Sequence, residues 1–440
     1  MTSHAARASS LLHHRDFVRL WAGDTVSQFG TMITMLALPL LVVKVLGATP
    51  FEVGLLTTFE TLAFLLVGLP AGAWVDRVRR RNVLIVGDVL RALLLGSLPL
   101  AAWLGVLTLP QVYAVALVVG VCTVFFDVAY QSYLPHLVGR DHLVEGNAKL
   151  QASQSVAQVA GPSVGGLLVQ ALTAPYAILL DALSFLWSAA WIGAIRKREP
   201  VPGRAADRHL LREVREGLAF VLGHRLLRSI AACTGTSNLF SSAAGVALIS
   251  LLARPDQLDL SAGMIGLIFS VAAVGGLLGA LAARRFAGWV GQGPAIWISI
   301  ALAAPFGFVA PFVERNWTLV LLAVAQFAFS AAVVIYNITQ VSFRQGLCPE
   351  RLLGRMNATI RFLVWGTMPL GGLLGGALAS WIGLRPTLVV TAVGEVLAVL
   401  FVFFSPLRRM RELPTEYDDG PRTGLAEPAP GVVTEELSPR

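Results

Sequence analysis

Apolar stretches of about 20 residues recur along the whole chain, set apart by short polar turns. About 20 residues is what one helical crossing of the bilayer hydrocarbon needs. Twelve such runs predict helices over residues 17–46, 51–75, 83–104, 109–134, 147–172, 175–195, 226–253, 261–283, 293–313, 316–345, 356–382 and 386–406. Strands do not fit, because membrane barrels alternate polar and apolar residues. The longest polar interruption is residues 196–225. Within it Leu210, Leu211, Val214, Leu218 and Val221 recur at helical spacing among charges. That pattern predicts an amphipathic helix lying on the membrane surface. Beyond Pro406 the chain turns rich in Pro, Glu and Gly, a composition that predicts disorder. The expected organisation is a six-helix half over residues 1–195, a cytoplasmic linker over 196–225, a second six-helix half over 226–406 and a cytoplasmic tail over 407–440.

Composition narrows the class. Of 440 residues 55% are hydrophobic and 14% charged, and the mean hydropathy is +0.70. Too little polar surface remains to cover a soluble core of this size. The formal charge of +8 sits largely in short loops, which favours the anionic cytoplasmic leaflet over nucleic acid as the basic residues' partner. The loops assigned to the outside carry only Arg254, Arg315 and Arg385, so both termini are expected in the cytoplasm. The first run is too long for a signal peptide. Cys122, Cys233 and Cys348 form no disulfide framework, and the histidines are scattered, so no metal is expected. No phosphate-binding G-x-x-x-x-G-K-[ST] loop and no nucleophile–base pair emerge. Neither a cofactor nor an enzymatic activity is expected.

The two halves repeat one another. From Leu137 the chain reads LVGRDHLVEGNAKLQASQSVAQVAGPSVGGLL, and from Leu347 it reads LCPERLLGRMNATIRFLVWGTMPLGGLLGGAL. At an offset of 210 residues Asn147 meets Asn357, Ala148 meets Ala358, and Gly161, Gly165 and Gly166 meet Gly371, Gly375 and Gly376. Paired halves of six spans suit a transporter that rocks about a central site.

Two motifs stand out. GAWVDRVRRR, Gly72 to Arg81, crowds charge into the turn after the second run. It resembles the G-x-x-x-D-R-x-G-R-R/K signature of the major facilitator superfamily through Gly72, Asp76, Arg77, Arg80 and Arg81, with Arg79 in place of the usual glycine. The second copy, GALAARRFAG, keeps Gly279, Arg284 and Arg285 but has Ala283 where the acid stood. GPSVGG, holding Gly161, Pro162, Gly165 and Gly166, is similar to the G-P-x-x-G-G motif of exporters that exchange substrate for protons; Ala157 stands where the longer motif has glycine. FFDVAYQSYLPHLV, NAKLQAS and LWAGDTVSQFGTMITMLALPLL resemble the twelve-span drug-efflux branch, which includes macrolide exporters and the enterobactin exporter. The resemblance implies an all-α membrane protein of twelve transmembrane helices in two pseudo-symmetric halves. It also implies a gating role for the first motif, in a charge relay that includes Asp127. Gly72 would allow close helix packing there.

A charge at the bilayer centre costs about 2.5–3.5 kcal/mol on insertion scales, so each one asks for a reason. Asp88 and Arg91, three apart, read as a local ion pair. Asp127 could instead face the cavity, and its span lacks the arginine that many proton antiporters carry there. Asp24, beside Ser27 and Gln28, and Glu60, among three threonines, are the candidate proton carriers. Asp181 could equally satisfy a neighbouring helix, and Arg361 and Glu395 could pair with each other. The expected function is proton-coupled efflux of a small amphipathic molecule across a bacterial plasma membrane, by a protein for which a monomer suffices. An importer, a uniporter or a non-transporting receptor on the same fold are the alternatives. The expected partners are the substrate, protons and lipid.

Overall fold

The computed structural model describes residues 11–75, 77–139, 142–197, 199 and 210–411. Among them only helices, turns and short coil occur. Hydrocarbon offers no partner to backbone N–H and C=O groups, so each crossing must satisfy its own. Among the described residues twelve segments are long and apolar enough to cross a membrane.

The first half holds α1 (Arg15–Leu40), α2 (Pro50–Val75), α3 (Arg80–Trp103), α4 (Leu109–Val138), α5 (Leu143–Leu172) and α6 (Ala174–Gly193). A linker helix, α7 (Leu210–Gly223), follows. The second half holds α8 (Arg225–Ala253), α9 (Ala262–Val290), α10 (Gln292–Ala303), α11 (Thr318–Leu347), α12 (Glu350–Trp365), α13 (Thr367–Trp381) and α14 (Leu384–Phe403). The ninth crossing continues beyond α10 as a 3-10 stretch, Ala304–Phe312, where Pro305 and Pro311 lack the N–H an α-helix would use. The eleventh run, predicted whole over residues 356–382, starts earlier and is broken at Gly366. Pro369 supplies the reason: it has no N–H for the Trp365 carbonyl, four residues back, and its ring crowds that oxygen.

The linker helix forms where the amphipathic pattern placed it, but it does not lie free on the membrane surface. It packs against α12 and α8. Val221 is fully buried in the second half's core, and Glu216 pairs with Arg355. Gly217 lies so near α12 that a Cβ there would fall 3.0 Å from the Arg355 carbonyl oxygen. The C-terminal turn of α7, through Val221, therefore buries against protein. The side chains of Leu210, Leu211 and Val214, and the tail from residue 412, fall outside the described residues.

The halves meet along two main seams, α5 on α9 and α2 on α13. These are one contact built twice. A Cβ on Gly266 would fall 2.2 Å from the Pro162 carbonyl oxygen, and one on Gly54 would fall 2.5 Å from that of Gly372. Gly166 approaches Ala262 and Gly263, while Gly376 approaches Phe51 and Gly54. The members on α5 and α13 are 210 residues apart, the offset of the sequence repeat. At the end of the molecule away from the described chain ends, polar bonds add to the seams. Lys44 Nζ donates to Asp259 Oδ1 at 3.1 Å and to the Leu260 carbonyl at 2.8 Å, and Arg254 Nη1 donates to the Ala48 carbonyl at 3.0 Å.

The repeat also shows where the backbone is strained. Gly383 joins α13 to α14 at φ 92°, ψ 166°, and its counterpart Thr173 joins α5 to α6 at φ 77°, ψ 161°. That region belongs almost wholly to glycine and costs other residues about 1–3 kcal/mol. Thr173→Gly is expected to stabilise the protein by about 1 kcal/mol, read as a raised melting temperature in detergent. Gly383→Thr is expected to lower it. An unchanged or lower melting point for Thr173→Gly would show that the threonine bears no such strain.

Candidate functional site

Below the seams, on the side of the chain ends, α2, α4 and α12 wall a cleft between the halves. Phe64 and Gly68 come from α2, Asp127 and Gln131 from α4, and Arg361 and Trp365 from α12. Each pair is spaced by four residues, so each helix turns one stripe into the cleft. Asp127 and Arg361 are both exposed there. Each lies within the other's field, but they form no ion pair. Arg361 lays its guanidinium over Trp365 at 4.6 Å from the ring centroid, and Trp365 meets Phe64 edge-on at 4.9 Å. Glu60, half-buried, precedes Phe64 by four residues and so continues the α2 stripe one turn deeper.

Behind this wall the first half holds a polar core. Asp88 and Arg91 form the ion pair expected from their spacing, at 2.5 Å, with both residues buried. The Arg91 guanidinium sits between Phe126 and Phe185, 4.2 Å from each centroid. Its field reaches Asp127 and Asp181 as well. Asp24 is buried and near Asp88 and Asp127, and it accepts a long 3.5 Å bond from Gln28 Nε2. Asp181 accepts from Ser184 at 3.0 Å and packs against Gly30 of α1, the neighbour-helix role open to it. The cation absent from α4 is thus supplied to this core by α3.

Several sequence groupings change. Arg361 and Glu395 do not pair. Glu395 is buried between α14 and α8, accepts from Ser237 Oγ at 2.7 Å and does not line the cleft. Asp127 does not join Arg80, because its stripe on α4 faces the cleft. Arg80 pairs with Glu199 at 3.5 Å, and the Arg81 backbone N–H donates to the same carboxylate. Arg81 also donates to the carbonyls of Ile192 and Gly193, so the motif's arginines hold the C-terminal end of α6, where a cation is favoured. Arg77 is exposed, and Asp76 lies outside the described residues. Gly72 permits no close approach: a Cβ there would meet nothing within 4 Å. The second copy's Gly279 does, with a Cβ position 2.4 Å from the Ala331 carbonyl oxygen.

The GPSVGG stretch is a three-helix junction. Gly161 and Gly165 face Met32 and Ile33 of α1, and Gly166 faces α9 across the seam. Ser163 donates to Ser270 Oγ from its backbone N–H at 2.9 Å, and the two hydroxyls lie 2.8 Å apart. Residues that sequence reasoning passed over include Glu199, Gln131 and Arg344. Arg344 is buried on α11 with a 3.4 Å contact to Gln340 Oε1 and an unpartnered Nε. An arginine near the end of an apolar run was the available signal for it.

Twelve crossings in two repeated halves around an inter-half cleft define a transporter of the major facilitator type. The chain belongs to the transmembrane secretion effector family, whose model matches residues 6–429. It is 28% identical to the multidrug efflux pump Tap of Mycolicibacterium fortuitum over 87% of this chain and 93% of that protein. It is 24% identical to the enterobactin exporter EntS of Escherichia coli over 85% and 88% of the two chains. The solved nucleoside transporter NupG, as its D323A mutant, superposes with a TM-score of 0.74 at 14% identity, covering 88% of this chain and 99% of its own.

The glycine geometry separates two substitutions. Gly166→Ala would place a Cβ 2.3 Å from the Ala262 carbonyl oxygen, a backbone atom that cannot swing aside. It is expected to cost about 1–3 kcal/mol, whereas Gly72→Ala is expected to be neutral or mildly stabilising. Melting curves of the purified variants check this, and equal losses would refute the seam contact.

Proposed function

We propose that this protein is a proton-coupled exporter of small amphipathic organic molecules in a bacterial plasma membrane, working by alternating access as a monomer with both termini in the cytoplasm. The carrying observation is the inter-half cleft, which exposes Asp127 and has Glu60 on the same helical stripe as its lining. The contacts at the opposite end support a state open to the cytoplasm. The full-length likeness to proteins named as an efflux pump and an exporter supports the outward direction.

Asp24 and Glu60 are the proton carriers in this reading. Low dielectric favours the neutral form of a carboxyl, so each loads a proton before it crosses between states. Protonation and substrate binding then compete, and that competition is the coupling. Asp127, Gln28 and Arg361 complete the cavity. The stretch from Gly72 to Arg81 gates the cytoplasmic face, and the GPSVGG junction carries the rocking seam.

The test uses inside-out vesicles with an acid lumen and a panel of macrolides, cationic dyes and siderophore-like compounds. The wild type is expected to accumulate a panel member and to release lumenal protons as it does so. Asp24→Asn or Glu60→Gln is expected to lower gradient-driven accumulation about tenfold while substrate exchange without a gradient persists. Accumulation equal with and without the gradient would overturn proton coupling. Net flux toward the cytoplasmic side would overturn export.

A further inference from the structure

We propose that the inter-half cleft selects aromatic zwitterions, with the cationic group held by Asp127 and the anionic group by Arg361. This rests on the cleft's being the substrate site of the transport reading. The two walls carry opposite charge. The first half places Asp24, Glu60, Asp88, Asp127 and Asp181 inside its crossings, and Asp88 already pairs with the buried Arg91. The cleft side of the second half presents Arg361, whose field reaches Arg344. Glu395, the carboxylate that could have neutralised this wall, is turned away toward Ser237.

Asp127 and Arg361 face one cleft from different halves and are both exposed, yet they do not bond to each other. A neutral ligand would displace water and leave both charges without partners. A purely cationic ligand would satisfy Asp127 against the repulsion of Arg361, and an anion would meet the converse. A molecule carrying both charges satisfies both walls at once, and charge-assisted bonds are the strong ones. Its body meets Phe64, Phe362 and Trp365. The Trp365 face already carries the Arg361 guanidinium, so a flat ring held beside that pair keeps its own anionic substituent next to the arginine.

The experiment measures binding to the purified full chain in detergent, so it requires neither flux nor a proton gradient. The probes are a fluorescent piperazinyl fluoroquinolone, zwitterionic at neutral pH, its methyl ester, which keeps only the cation, and its N-acetyl derivative, which keeps only the anion. The wild type is expected to bind the zwitterion about tenfold more tightly than either derivative. Arg361→Gln is expected to lose that advantage over the ester while binding the ester no worse. Asp127→Asn is expected to lose it over the N-acetyl compound in the same way. Melting temperatures identify any variant that fails to fold, and Arg361→Lys, which keeps the charge, is expected to retain part of the preference. Equal affinities of the wild type for all three probes, no binding of any of them, or a uniform loss in each variant would overturn the proposal. Loss of proton-driven flux with the charge preference intact would instead count against proton coupling alone.

Discussion

Lipid tails are as apolar as leucine, so no hydrophobic effect presses two six-helix halves together inside a bilayer. What remains is dispersion between surfaces that touch closely, and backbones touch only where side chains are absent. The two seams meet this condition with Gly166 and Gly266 on one side and Gly54, Gly372 and Gly376 on the other. Few specific bonds cross them among the described residues: Ser163 with Ser270, the Gly263 N–H donating to Gln170 Oε1 at 3.2 Å, and Thr58 Oγ1 donating to the Pro369 carbonyl at 3.0 Å. A smooth, glycine-lined contact has no interlocking side chains to disengage when the halves roll. The bonds of Lys44 and Arg254 at the far end are different. They are directional, cross-half and only partly buried, the kind of contact made in one state and broken in another.

The polar core of the first half follows a different constraint. Arg91 is buried among carboxylates and lies between two aromatic rings, so its desolvation is offset by an ion pair and by two ring faces. Removing one partner would leave an uncompensated charge, which is far more damaging than replacing the pair. This cation pairs with Asp88 and leaves Asp24, Glu60, Asp127 and Asp181 inside the crossings without an ion-pair partner of their own among the described residues. The polarity of the cleft is therefore set in the packing of α3 against α4 and α6, behind the residues that line it.

What the sequence made legible was one-dimensional. The number of crossings follows from run length, the paired halves from a fixed offset, and the seam glycines from their recurrence at that offset. Facing was not legible, because it depends on neighbours that the local pattern does not name. Asp127 stood between a gating acid implied by the resemblance and a cavity acid, Gly72 looked like a packing glycine by its motif, and Glu395 like a partner for Arg361 by its charge. The tertiary arrangement decided the first in favour of the cavity and displaced the other two. The α7 stripe was correctly seen as apolar, but apolarity does not distinguish a lipid surface from the flank of α12. Glu199 was hidden for a similar reason: its role depends on the C-terminal end of α6 and the α2–α3 turn meeting in space.

The break at Gly366 separates two duties that α5, unbroken across Pro162, keeps on one rod. α13 carries the seam glycines and must stay against α2. α12 carries Arg361 and Trp365 into the cleft and takes the grip of α7 through Arg355 and Thr359. Pro369 has no N–H for the Trp365 carbonyl, so α12 and α13 are not held as one rod. The Gly366 N–H still donates to the Phe362 carbonyl at 3.0 Å, so the loosening is confined to one turn. Arg361 therefore stands on the jointed side of the cleft, and Asp127 on the continuous α4. The two halves therefore share one contact geometry at their seams, yet only the second has a jointed wall, and that wall carries the positive side of the cleft.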